Sequence, residues 1–356
     1  MTADFTSLLE AWDGHAVLIR YDQPTGTWIF IALHSPERGM MVGGCRMKTY
    51  PTPADGLRDA MRLGRGMTHK WAAINVDFGG GKSVLAIPHP MEGAEREGLL
   101  HRFAGMLNTL GGRYGTGVDL GTSPADMDII RQKSRWVFSG DESRGGHADP
   151  GPYTALGVFS CIRAAVEAVF GSEDLTGRTV LIQGAGGVGA PLAGLLNSAG
   201  ASLMINDSDP DRADSVAREY GGTVVSGDDV YRTRCDVFAP CAVGGILNER
   251  TIPLLQCRIV AGSANNQLER DEDAERLHAR GILYAPDYVS NAGGAMAFGL
   301  MHQGTVEEEE IRQKIVGLGD TMREILAEAA RSDESPLHAS ASRVEKVLAS
   351  SPAPSP

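Results

Sequence analysis

The sequence predicts an α/β protein of two domains: an N-terminal α/β domain, then a doubly wound parallel sheet followed by a C-terminal helical segment. Three observations carry this. The 356 residues, 42% hydrophobic and 22% charged, suffice for two cores. From residue 178 onward, short apolar runs alternate with helical stretches, the rhythm of a parallel sheet. A polar, glycine-rich passage, SGDESRGGHADPGP, separates that texture from a different one before it. The expected boundaries are 1–138 for the first domain, 139–152 for the linker and 153–304 for the second domain. C-terminal helices are expected over 305–349 and a disordered tail over 350–356.

In chain order, HAVLIRYD and TWIFIALHS read as strands joined by a turn at Pro24, Thr25 and Gly26, with GGCRMKTY as a third. Residues 54–75 read as a helix, because Leu57, Met61, Gly64 and Met67 share one face and Asp55 stands near the start. VDFGGGKSVLAIPHP then resembles the end of a phosphate loop. The first glycine of that pattern would fall on Val76, however, and an apolar run closed by Pro88 and Pro90 follows where a helix is required. Lys82 is therefore expected on a glycine turn leading into a buried strand. A helix over 98–110, a strand in RYGTGVDLG and a helix in SPADMDIIRQKS complete the domain, the last with Ser123 as N-cap and Pro124 in its first turn. Beyond the break, RTVLIQG, ASLMIND, GTVVS, CDVFAP, CRIVAG and GILYAPD read as strands. At the end, Thr305 opens a capping box, and Ile311, Ile315, Leu318, Met322 and Ile325 form one helical face.

Bulk properties narrow the function. A net charge of -12 and a pI near 5.2 leave no basic stripe for nucleic acid or an anionic membrane surface. No run approaches transmembrane length, and the N-terminus mixes acids into its apolar positions, unlike a signal peptide. The five cysteines are odd in number and lack CxxC spacing, which suits reduced thiols and a cytoplasmic location. The nine histidines are scattered, so no metal site is expected.

The strand ending at residue 183 runs into Gly184-Ala185-Gly186-Gly187-Val188-Gly189, and a helix follows. In that context the glycines bring backbone amides and a helix N-terminus to a pyrophosphate. Asp207, 23 residues beyond Gly184 at the end of the next strand, is placed to accept hydrogen bonds from the ribose hydroxyls of the adenosine. A carboxylate there repels a 2′-phosphate, so NAD is expected rather than NADP, with Arg212 close enough in sequence to soften the preference.

The first domain is left to hold a substrate. Lys70, Lys82 and Asp119 stand out there, although each also has an ordinary reading: a helix-end lysine laid along apolar surface, a solvated loop lysine, a turn former. Together they suit an α-amino or 2-oxo acid, which needs a cation for its carboxylate and an acid/base for its amine. On this reading the three glycines let ligands approach closely.

At this point the chain resembles the amino-acid dehydrogenases acting on glutamate, leucine, phenylalanine and valine, and nearest the last three. The motifs are VGGCR, RGMTHK, GGGKS, GVDLGT, ADMD, the glycine turn, APCAVGG, SANNQL and GILYAPDYVSNAGG, and the likeness runs from about residue 13 to the C-terminal helices. It implies an α/β substrate domain and a Rossmann-like doubly wound NAD domain. It implies that Lys70, the backbone of a Gly43-Gly44 turn and the amide of Asn265 hold the substrate carboxylate, that Lys82 activates water, and that Asp119 carries the proton of the amine. Asn265, Asn291 and Ala242 would meet the cofactor beside Gly184, Gly186, Gly187, Val188, Gly189 and Asp207. Val42, Gly117, Val289, Ala292 and Ala295 would line the side-chain pocket; most are small, which favours a phenylalanine-like substrate over a branched aliphatic one, although Met40 and Met41 could fill the space. The implied reaction is NAD-dependent, reversible deamination of a nonpolar L-amino acid to its 2-oxo acid and ammonia by a homo-oligomer, without a metal. Two rivals are a catalytically silent NAD-binding regulatory protein and a 2-hydroxy-acid dehydrogenase; the second needs a histidine–carboxylate pair that is not apparent.

Overall fold

The computed structural model describes residues 5–138, 149–302, 304 and 307–350. The chain forms two units, one of residues 1–148 with 346–356 and the other of residues 149–345.

The first unit begins with α1 (Phe5–Glu10) and the antiparallel pair β1 (Ala16–Asp22) and β2 (Thr27–Ser35). Their turn is closed by the amides of Thr25 and Gly26 on the Asp22 carbonyl, with Gly26 at a φ of 69° that favours glycine. Then come β3 (Met41–Lys48), α2 (Pro53–Ala73), β4 (Gly79–Ala86), α3 (Gly93–Thr109), β5 (Tyr114–Val118) and α4 (Pro124–Arg131). The sheet order is β1-β2-β4-β3-β5, with β3 parallel to β4 and β5. Thr52 caps α2 in a capping box with Asp55, and Ser123 caps α4 in another with Asp126. Leu57, Ala60 and Met61 of α2 pack on Phe30, Ala32 and Val84. Leu99, Phe103 and Leu107 of α3 and Met127 and Ile130 of α4 join a second cluster with Ile29, Ile31 and Leu85. Each of the leucine, isoleucine, valine, methionine and phenylalanine side chains among these contributes about 1.5–3 kcal/mol by leaving water.

Because helices cover both faces, every residue of β4 is buried. This corrects the expectation of a glycine turn before Lys82: Gly79, Gly80 and Gly81 lie in the strand itself. Their role is packing within the unit. A Cβ on Gly80 would stand 2.1 Å from the Thr68 hydroxyl of α2, and one on Gly81 2.8 Å from the Tyr114 ring. Gly43 and Gly44 are likewise mid-strand in β3 and form no turn.

The second unit opens with α5 (Gly151–Phe170), which begins inside the stretch expected to be linker; residues 139–148 of that stretch lie outside the described residues. There follow β6 (Thr179–Gln183), α6 (Gly189–Ser198), β7 (Ser202–Asn206), α7 (Pro210–Tyr220), β8 (Thr223–Val224), β9 (Val237–Pro240), β10 (Ile259–Val260), α8 (Glu272–Ala279) and β11 (Leu283–Tyr284). The chain ends with α9 (Asp287–Ser290), α10 (Gly293–His302), α11 (Glu308–Val316), α12 (Leu318–Ser332) and α13 (Pro336–Ala349). The six strands run parallel in the order β11-β10-β9-β6-β7-β8. Counted from β6, that is the dinucleotide-binding order 3-2-1-4-5-6 read from the other edge, and its reversal point lies between β6 and β9. α5 is long and apolar enough to cross a bilayer, against the sequence expectation, yet 67% of that stretch is buried, as in a core helix. Ile311 and Ile315 lie on α11 and Leu318, Met322 and Ile325 on α12, all buried, with Gly317 between the helices. The expected capping box at Thr305 and the tail from residue 351 lie outside the described residues.

Candidate active site

In the first unit, β4 carries Lys82 opposite Ala32 of β2, and β5 ends one residue before Asp119. The parallel register that sets Gly44 opposite Gly117 brings the β5 end beside β3, and only a glycine fits there: a Cβ on Gly44 would meet that of Asp119 at 2.8 Å. Lys82, 4% exposed, donates from Nζ to Asp119 Oδ2. Arg46 Nε donates to the other oxygen, Oδ1, at 3.1 Å, and the Leu120 amide also reaches Oδ1, at 2.5 Å. Burial alone would raise the Asp119 carboxyl, but the Lys82 ammonium and the Arg46 guanidinium pull it down to about 2. Both cations thus favour its ionised form. Lys70 sits half-buried in the last turn of α2, where a cation also suits the negative end of the helix dipole.

Two lysines and a carboxylate can thus bind an anion and move a proton on one unit. The partner that the structure gives Lys82 is a counter-charge that was not expected, since Asp119 answers it directly. Sequence reasoning also passed over Arg46 as a functional residue, although it ends the VGGCR run. Its Nη1 donates to Asp59 Oδ2 at 3.0 Å, and the Tyr50 hydroxyl donates to the same oxygen at 2.7 Å.

In the second unit the glycine turn follows β6. Gly184 has a φ of 101°, and a Cβ there would strike Ala242, which follows β9. A Cβ on Gly189 would stand 1.8 Å from the Gly184 carbonyl. Gly186 and Gly187, by contrast, are exposed and meet nothing within 4 Å, and Val188 precedes the first turn of α6. A cavity of about 410 Å³ opens at this point, lined by Gly184, Gly186, Asp207, Arg212, Tyr231 and Ala242 among others. Asp207 Oδ2 accepts from the Ala185 amide at 2.8 Å, and Oδ1 from the Asp209 amide at 2.9 Å. Burial opposes its ionisation, but these amides and Arg212 hold it below the usual carboxylate range. Arg212 also spans to Asp209, at 3.1 Å, so the cavity edge carries a cation as well as two acids. Open glycine amides at a helix N-terminus, beside an anchored acid, fit a dinucleotide.

Asn291, buried after α9, donates from Nδ2 to Asn265 Oδ1 at 3.0 Å and so orients the exposed Asn265. Among the expected pocket residues, Val42 is buried in β3, Gly117 and Ala295 keep partial exposure, and Val289 and Ala292 have no exposed surface. Met41 belongs to the core of the first unit, packed with Leu33 and Tyr114, so it is committed elsewhere than to a pocket. Among the described residues, no group of three or more histidine, cysteine, aspartate or glutamate side chains is arranged to hold a metal ion.

Residues 22–136 match the family model described as Glu/Leu/Phe/Val dehydrogenase, dimerisation domain, and residues 211–350 match Glutamate/Leucine/Phenylalanine/Valine dehydrogenase. The glycine turn lies between the two matches. The chain is 38% identical over 336 residues to a leucine dehydrogenase of Thermoactinomyces intermedius, covering 94% of this chain and 91% of that one. It is 38% identical over 337 residues to a phenylalanine dehydrogenase of Caldalkalibacillus thermarum, covering 93% and 90%. The crystal structure of L-tryptophan dehydrogenase from Nostoc punctiforme superposes with a TM-score of 0.83 at 36% identity, covering 97% of this chain and 98% of that one.

Proposed function

Since the chain belongs to the glutamate/leucine/phenylalanine/valine dehydrogenase family and is an amino-acid dehydrogenase, we propose that it reversibly deaminates a nonpolar, phenylalanine-like L-amino acid with NAD. The observation that carries the reading is the ion pair of the buried Lys82 with Asp119, on the unit that also holds Lys70. In this reading Lys70 binds the substrate carboxylate. Lys82 Nζ stabilises charge on the substrate oxygen and, once it has lost a proton, takes one from the attacking water. Asp119 Oδ2, facing Lys82 Nζ, receives the proton of the amine and returns it when ammonia leaves. The dinucleotide, when bound, supplies the two-electron oxidant, so the overall balance is amino acid, NAD⁺ and water to 2-oxo acid, ammonium, NADH and a proton.

Residues Gly184, Gly186, Gly187, Val188, Gly189 and Ala242 are proposed to hold the pyrophosphate end and Asp207 the adenosine ribose. The anchored Asp207 supports NAD over NADP, while Arg212 beside it supports some tolerance of a 2′-phosphate. Gly43, Gly44 and Asn265 are assigned to the substrate carboxylate, and Asn291 to orienting Asn265. Val42, Gly117, Val289, Ala292 and Ala295 are the residues proposed to meet the substrate side chain; most are small, and the engagement of Met41 in the core of the first unit commits one larger side chain elsewhere. A branched-chain preference is the second reading, favoured by the 38% identity to a leucine dehydrogenase. A homo-oligomer agrees with the likeness of residues 22–136 to a dimerisation domain, and a cytoplasmic location with five unpaired cysteines.

NAD reduction over a panel of L-amino acids tests the class of substrate. Then kcat/KM for phenylpyruvate against 4-methyl-2-oxopentanoate, with ammonia and NADH, separates the two preferences; an advantage for the aliphatic acid would discard the aromatic one. Discrimination should be graded, because each methylene is worth about 1–3 kcal/mol.

A further inference from the structure

The roles above use Lys82, Asp119 and Lys70, and leave unexplained why a second cation, Arg46, is buried against the same carboxylate. Arg46 is a costly residue to enclose. Its side chain is 12% exposed, and it is kept charged by two acids, Asp119 through Nε and Asp59 through Nη1. Asp59 is itself fixed by the Tyr50 hydroxyl at 2.7 Å and by Arg62 at 3.0 Å. Charges therefore alternate from Lys82 through Asp119, Arg46 and Asp59 to Arg62, running from β4 across β3 to the outer face of α2. A lysine, a point charge on a flexible stem, could not reach both carboxylates in one fixed plane as the guanidinium fork does.

We propose that Arg46 is the positioning residue of Asp119: by occupying Oδ1 it leaves Oδ2 as the oxygen turned to Lys82 for proton transfer. The division of labour between the two oxygens is visible in their partners. Oδ1 receives Arg46 Nε and the Leu120 amide, whereas Oδ2 receives Lys82 alone among the hydrogen bonds of the described residues. A carboxylate free to rotate would present either oxygen; one clamped at Oδ1 cannot. The other groups facing Asp119 are the Cys45 thiol from β3 and the Tyr114 phenol from β5, with Tyr50 and Asp59 beyond Arg46. Burial pushes Cys45 up to about 12 and Tyr114 well above the usual phenol range, so neither titrates together with Asp119. Lys82 and Arg46 are thus the charged groups that set its behaviour.

This inference rests on the proposed deamination, and its test separates the two. Arg46→Met, Arg46→Lys and Asp59→Asn are compared with the wild-type protein by steady-state kinetics across pH, by carbon NMR of the Asp119 carboxyl and by melting temperature. Removing a cation favours protonation of the neighbouring Lys82–Asp119 pair, so in Arg46→Met the carboxyl midpoint rises by about one to three pH units. The pH at which kcat/KM reaches half its plateau moves the same way. Turnover falls on the order of ten- to a hundredfold while KM for the amino acid stays within about threefold, because the lost interaction acts on proton transfer and leaves carboxylate binding intact. Arg46→Lys keeps the charge and recovers part of the midpoint. Asp59→Asn removes an anion behind Arg46 and moves the midpoint down, opposite in sign. Shifts of the same sign in Arg46→Met and Asp59→Asn, or none in either beside an equal drop in melting temperature, would reduce Arg46 to a structural tie between β3 and α2. A wild-type protein that oxidises no amino acid, yet shows the carboxyl shifts, would instead overturn the deaminase reading and leave the clamp on Asp119 standing as electrostatics alone.

Discussion

Lys82 is a charged side chain on a strand with no exposed residue, and its burial decides what replacing it should do. Lys82→Ala removes both the reacting amine and the counter-charge of Asp119. Turnover should fall at least about a thousandfold, since a general acid–base group contributes ~10²–10⁴ and electrostatic stabilisation is lost as well. NAD affinity, measured by fluorescence titration, should not change; a fall in affinity equal to the fall in turnover would mean general damage to the protein. Lys70→Ala should behave differently: if it binds the carboxylate in ground and transition states alike, KM rises on the order of ten- to a hundredfold with kcat nearly kept. Lys70, Lys82 and Asp119 stood out in the sequence only as a set, each alone allowing an ordinary reading, and the roles proposed for them come from the resemblance. Arg46 was quoted but passed over, because its partner Asp119 stands 73 positions away and meets it only through the pairing of β3 with β5. Neither strand on its own announces the other. The space around Gly79, Gly80 and Gly81 was misread for a similar reason: a glycine that admits a ligand and one that admits a helix look the same in a string of letters.

At the level of elements, the glycine turn after β6 separates two kinds of glycine that a single motif lumps together. Gly189 carries a structural demand, since a Cβ would stand 1.8 Å from the Gly184 carbonyl. Gly189→Ala should destabilise the protein by about 1–3 kcal/mol, as overpacking does. Gly186 is exposed, has no atom within 4 Å of the position of a Cβ, and is not among the residues at positive φ. Gly186→Ala should leave the melting temperature unchanged within the effect of a surface substitution, about 0.5 kcal/mol, while weakening NAD by about tenfold or more through loss of close backbone approach. Thermal denaturation and NAD titration of the two variants check both halves, and tight NAD binding by Gly186→Ala would move the pyrophosphate elsewhere. The strands of this unit were legible in sequence because each is a short apolar run bounded by polar residues. α5 was not. It opens on Gly151 and Pro152 after Asp149 and Pro150, all turn formers, and its N-cap, Pro150, supplies no side-chain hydrogen bond to mark a start.

For the whole molecule, depressed carboxylates set the response to acid, and they are unevenly shared. In the first unit burial opposes ionisation of Asp22, Asp59, Asp119 and Asp126, but Arg102, Arg46, Lys82 and Arg96 among their partners bring each below the usual range. Asp119 falls from 3.8 to about 2. Its stabilisation is therefore complete above the unfolded value and is lost as pH drops through the folded one, an effect on the order of 2 kcal/mol for this group. All four tryptophans, Trp12, Trp28, Trp71 and Trp136, lie in the same unit. On titration below pH 4, tryptophan emission should report loss of the first unit before circular dichroism reports loss of the second unit's helices; coincident transitions would contradict this. The two-domain architecture was readable because the strand rhythm changes with position along the chain, whereas the order of the strands within each sheet rests on pairings that no local pattern encodes. β4 is hydrogen-bonded on both sides, to β2 and to β3, and Lys82 is its fourth residue. Backbone protons there should be among the slowest in the protein to exchange with heavy water, opening only with the unit as a whole. Asp119 stands just past the end of β5, and its amide donates to the Thr122 hydroxyl at 3.0 Å, outside the sheet ladder. The lysine is thus expected to be as stationary as the core around it, and exchange at its amide that ran ahead of the unfolding of the unit would contradict this.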